Sequence, residues 1–88
     1  MSEQPTNDLP VNFSSFVVSL AGSAMMHLGL APDPTAGGTA KNLPVARNTI
    51  DLLKVLDVKT QGNLDEEEAQ LLSTLIEELD GRYAEAAS

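Results

Sequence analysis

The chain has 88 residues, 13 Asp or Glu against five Lys or Arg, a formal net charge of −8 and no cysteine. This length leaves room for one small core and not two, and the missing cysteine rules out disulfide staples and thiolate metal sites. So acidic a chain is repelled by phosphate backbones, which argues against nucleic acid as a partner, and the cysteine-free composition fits a reducing, cytoplasmic setting.

The charge is unevenly spread. Residues 1–40 carry only Glu3, Asp8 and Asp33; Lys41, Arg47, Lys54 and Lys59 make the middle basic; residues beyond 60 carry eight carboxylates against Arg82. The basic middle and acidic end can attract each other, within one chain or between two. Leu9 to Pro32 is a run of 24 residues without a charge. A segment apolar around most of its circumference has to be hidden from water. It is a poor secretory signal, with no Lys or Arg before it, and a poor membrane span, being broken by Pro10, Asn12, serines, Gly22, His27 and Gly29. Lying on a membrane surface is disfavoured too, because the run has no basic face for anionic lipid.

In chain order, residues 1–11 read as a flexible N-terminal tail, residues 12–84 as a three-helix domain and residues 85–88 as a frayed end. Asn12 caps a first helix from Phe13 to about Leu28, which Gly29 ends and which Pro32 and Pro34 keep from resuming. Phe13, Phe16, Val17, Leu20, Ala21, Ala24 and Leu28 form its broad apolar face. Ser15, Ser19, Gly22, Ser23 and Met26 form a second face of small residues that lets another backbone come close, and this face is the predicted interface. Gly29 to Lys41 is a long connection: a crossover, a functional loop or a locally mobile segment.

Asn42 caps a second helix from Leu43 to about Thr60, with Pro44 tolerated in its first turn and Gly62 ending it. Its expected buried stripe is Val45, Ala46, Thr49, Ile50, Leu52, Leu53 and Leu56, with Arg47, Asp51 and Lys54 opposite, spaced to pair with one another. Asp65 with Glu68 is a variant capping box opening a third helix. That helix buries Leu71, Leu72, Leu75, Ile76, Leu79 and Tyr83 and pairs Glu78 with Arg82 on its flank; Gly81 weakens its last turn by about 1 kcal/mol relative to Ala. Leu20, Leu53, Leu56, Leu72, Leu75 and Leu79 are the expected core leucines.

No motif specifies a chemistry. His27 lies between Phe16 and Leu20 on the apolar face, where packing or a hydrogen bond to a free helix-end carbonyl accounts for it. Nucleophilic catalysis would need a Ser or Thr and an orienting acid brought beside it by folding. Asp65 to Glu68 point about 100° apart in succession, so they cannot converge on one ion unaided, and they suit a helix start. Gly37-Gly38-Thr39-Ala40-Lys41 lacks the spacing of a phosphate loop, and Met25-Met26 suits packing better than metal ligation. The expectation is therefore no catalytic residue, no metal and no cofactor.

Several landmarks occur in order: Phe16-Val-Val-Ser-Leu-Ala-Gly-Ser-Ala24, His27-Leu-Gly, Pro32-Asp-Pro34, Asn42-Leu, Ala46-Arg, Ile50-Asp-Leu-Leu53, Lys59-Thr-Gln-Gly-Asn-Leu64 and Arg82-Tyr83. Over about residues 12–84 the chain resembles the bacterial domain-of-unknown-function family numbered 1844, departing from its pattern at Pro44 and Gly81. The resemblance implies a small bacterial helical protein and carries over no activity, cofactor or catalytic residue. It draws attention to His27, Pro32, Asp33 and Pro34 as one local unit, a possible functional loop that a helix end and a rigid turn also explain.

Together these features predict an all-α three-helix module, assembled as a homo-oligomeric bundle with a dimer as the simplest form. Its expected role is that of a non-enzymatic interaction or assembly module, open to a further protein partner. The rival reading is a small ligand-binding protein or enzyme using His27 and Asp33. A deep polar pocket around His27 would favour the rival; a packed His27 would favour assembly.

Overall fold

Each helix in this chain starts where a side chain can take up backbone amides that the helix itself leaves unbonded. The computed structural model describes residues 11–32 and 41–88. They form three helices: α1 Phe13–His27, α2 Leu43–Lys59 and α3 Glu66–Ala87. The Asn12 side chain accepts the Ser15 amide at 2.8 Å and Asn42 accepts that of Val45 at 3.3 Å. At α3 the capping box is complete: Glu68 N–H donates to Asp65 Oδ1 at 2.7 Å, and Asp65 N–H donates to Glu68 Oε1 at 3.0 Å. These caps, and the helix starts they imply, are those expected from the residues.

The end of α1 is a Schellman motif. Gly29 has φ +80°, its amide donates to Met26 O at 3.0 Å, and Leu30 N–H donates to Met25 O at 3.0 Å. Asn42 N–H then donates to His27 O at 2.7 Å. The long connection therefore leaves and returns at one point, so it is no crossover: the end of α1 meets the start of α2 and the two helices run antiparallel. A short link through Gly62, at φ +84°, turns the chain again into α3. The chain stays helical past Gly81 to Ala87, where Ser88 Oγ donates to Glu85 O at 2.9 Å.

The core is built from Val17, Ala21, Ala24 and Leu28 of α1 with its cap, Ala46, Ile50 and Leu53 of α2, and Leu72 and Leu79 of α3. Thr49 is buried with them and its hydroxyl donates to Val45 O at 3.0 Å, which satisfies it. Of the expected core leucines, Leu53, Leu72 and Leu79 are buried, whereas Leu20, Leu56 and Leu75 are only half-buried at its margin.

Three residues assigned to buried stripes prove to lie on the surface. Phe16 is 51% exposed, Leu52 53% and Val45 38%. Ala21 and Ala24 let the neighbouring helices come close to a narrow strip of α1, and Phe16 sits about 100° round the helix from the buried Val17.

The ion pairs also differ from expectation in one respect. Arg47 Nε lies 3.4 Å from Asp51 Oδ1 and Arg82 Nη2 lies 3.5 Å from Glu78 Oε2, both within one helix as foreseen. Lys54, however, reaches across to Asp80 of α3 at 3.0 Å instead of pairing with Asp51. The Arg47 guanidinium also stacks over the Tyr83 ring, 5.4 Å from its centroid. Asp51 beside it, its hydrogen bonds and then Tyr83 hold the guanidinium pKa still further above its usual value. The attraction between basic middle and acidic end is thus realised within one chain.

Candidate functional site

The predicted interface residues all belong to the side of α1 turned from the core. Ser19 and Gly22 are exposed, while Ser15, Ser23 and Met26 are half-buried. A Cβ built on Gly22 would meet nothing within 4 Å, so this flank is open in the single chain. Phe16 and Val18 are about half exposed on its two edges, and Leu30 is exposed just beyond the helix end. α1 contains no Asp, Glu, Lys or Arg.

His27 is the last residue of α1 and is half-buried. What the fold fastens there is its backbone carbonyl, held by Asn42. Pro32 is exposed. Asp33 and Pro34, the other members of the loop unit, lie outside the described residues, as does the Gly-Gly segment.

An open depression of about 570 Å³ lies elsewhere, on α3, lined by Glu66, Glu67, Gln70, Leu71 and Thr74. None of its lining residues comes from α1, so it gives no support to a site built on His27. Among the described residues, no three His, Cys, Asp or Glu side chains come together in a way that could hold a metal ion, and no helix is long and apolar enough to cross a membrane.

The surface that sequence reasoning missed is on α2. Val45, Leu52, Val55 and Val58 are all substantially exposed. The signal was present: α2 has more apolar residues than one stripe of about 100° can hold, so some had to remain outside.

The model of the family described as Domain of unknown function (DUF1844) matches residues 10–85, which include all of α1 and α2 and nearly all of α3. The chain belongs to this family. No curated protein and no solved structure matches it. Membership of DUF1844 covers the three helices as one unit and attaches no chemistry to any of their side chains.

Proposed function

We propose that this DUF1844 protein is a non-enzymatic self-associating module, a homodimer in its simplest form, with α1 as a contact helix. The observation that carries the reading is the outward side of α1: uncharged throughout, open at Gly22, and edged by half-exposed Phe16 and Val18. A charge-free helix face that leaves large apolar side chains in water gains by being covered, at roughly 25 cal/mol per Å² of apolar surface removed. Ser15, Ser19, Gly22, Ser23 and Met26 are the residues of that side which would allow close approach.

Equilibrium sedimentation at about 10–50 μM, where an ordinary interface is occupied, tests this. A mass twice the 9.3 kDa of one chain is expected, and a single-chain mass would overturn the reading. Replacing Ser19 or Gly22 with a large residue should weaken association more than replacing Ser14.

A further inference from the structure

The arrangement of the three helices leaves one broad side of the molecule uncovered. The Lys54–Asp80 pair and the Arg47–Tyr83 stack place α3 along the flank of α2 that carries residues 47 and 54. Val45 and Leu52 are each two residues away from these, which at about 100° per residue puts them on the opposite flank, turned from α3, and half-exposed Val55 lies about 60° round from Leu52 on the outer side of α2. α1 runs antiparallel beside α2, with its Val17, Ala21, Ala24 and Leu28 strip directed into the core. With that strip facing inward, its right-handed winding carries Phe16, Leu20 and His27 to the edge adjoining Val45 and Leu52, and Val18 to the edge adjoining α3. The molecule is 16 Å thick in its thinnest direction, enough for two helix layers. α3 covers one side of the α1/α2 layer, and among the described residues none covers the other.

We infer that a second copy of this chain sits on that uncovered side, layer to layer, so that Phe16, Leu20 and His27 of α1 and Val45, Leu52 and Val55 of α2 meet their counterparts across a twofold axis. This rests on the self-association reading, keeps half-exposed Phe16 of α1 in the contact, and centres the contact on the α1/α2 face and not on the small-residue side of α1. Three observations select a second copy.

The first is what the rest of the chain can offer. Residues 1–10 and 33–40 contain only Met1 and Leu9 as large apolar side chains other than proline, too few to cover two helices.

The second is charge. The six lining residues carry no carboxylate, whereas α3 carries Glu66, Glu67, Glu77, Glu78 and Glu85, all exposed. Packing layer to layer puts the two acidic α3 helices on opposite outer surfaces. At 8–10 Å per layer their axes are roughly 25 Å apart, about three Debye lengths at physiological ionic strength. Any pairing through α3 would instead bring like charges together.

The third is size. Helices of 15 and 17 residues are about 22 and 25 Å long. Side by side they give a face of roughly 450 Å² in projection, which side-chain relief raises towards the ~600 Å² per partner at the low end of specific interfaces.

The test is sedimentation of Leu52→Glu and, separately, Val55→Glu, with circular dichroism as the check on folding. Both positions are about half exposed in the single chain, so a carboxylate there leaves the core intact. Each substitution should raise the dissociation constant at least about tenfold, because the twofold buries two unpaired charges at once. If either variant stays helical and keeps the wild-type dimer constant, the inference is overturned. Gly22→Leu then separates the two readings: its dissociation alone would return the contact to the small-residue side of α1 and leave self-association standing. A monomeric wild-type chain would overturn both.

Discussion

The amide of Asn42 is bonded to the carbonyl of His27 at 2.7 Å while the Asn42 side chain holds the Val45 amide at 3.3 Å. One residue thus satisfies the last turn of α1 and the first turn of α2. This link brings the two ends of the long connection together, and the packing of the Ala46, Ile50 and Leu53 strip on that of α1 carries α2 back along it. The apolar face shared by α1 and α2 exists because of that closure.

Asn42→Ala removes the side-chain half of the link and keeps the backbone half. A destabilisation of about 0.5–2 kcal/mol is expected, the usual cost of losing an N-cap. Chemical denaturation should show it as a lower midpoint with an unchanged slope, since the surface exposed on unfolding stays the same.

The glycines should respond with opposite signs. Gly29 is at φ +80°, and an added Cβ would come no closer than 3.6 Å to Lys41. Gly29→Ala therefore loses stability through backbone conformation and not through a clash, by about 1–2 kcal/mol. Gly22 is in mid-helix with open space around it, so Gly22→Ala should stabilise the single chain by up to about 1 kcal/mol. Thermal melts of the two variants at a concentration low enough for single chains to prevail check the contrast.

Core truncation should follow burial and not residue type. Leu53→Ala and Leu72→Ala remove fully buried side chains and should cost about 2–5 kcal/mol each. Leu75→Ala should cost less, because Leu75 is half-buried at the core margin. In a domain with a stability of roughly 5 kcal/mol, a loss at the upper end of that range would leave about half the molecules unfolded and visible by circular dichroism, and a smaller loss would appear as a lower denaturation midpoint.

Local signals made the helix boundaries legible in the sequence. Asn12, Asn42, the Asp65/Glu68 box, Gly29 and Gly62 all act within a few residues of themselves. Coverage was not legible in the same way. An apolar residue at the edge of a stripe reads alike whether a neighbouring helix lies over it or not, which is why Phe16, Val45 and Leu52 read as buried in the sequence. The partner of Lys54 was hidden for the same reason: Asp51 is near in sequence, and only the packing of α3 on α2 brings Asp80 to 3.0 Å.

That pair should add little stability. Both side chains are nearly half exposed, and exposed ion pairs contribute about 0–1 kcal/mol. A double-mutant cycle with Lys54→Met and Asp80→Asn should give a coupling within that range. It should shrink further in 1 M salt, where the Debye length falls to about 3 Å. The pair marks which flank of α2 receives α3 without setting it, so a larger coupling would mean that helix placement depends on it.

His27→Gln bears on function most directly. The fold holds position 27 by its backbone carbonyl, which every residue possesses, and the ring is half-buried at the end of the uncovered face. Glutamine keeps a polar side chain of moderate size and removes imidazole protonation and metal ligation. The variant should keep its helix content and oligomeric mass, with a loss of stability of no more than about 1 kcal/mol. It should also restore whatever phenotype deletion of the gene produces, since glutamine keeps a polar side chain of moderate size at the edge of the contact and assembly needs no imidazole chemistry. A variant that folds and assembles as the wild type does yet fails to restore the phenotype would assign chemistry or recognition to the ring. The reading that places a ligand or substrate beside His27 and Asp33 would then replace the one proposed here.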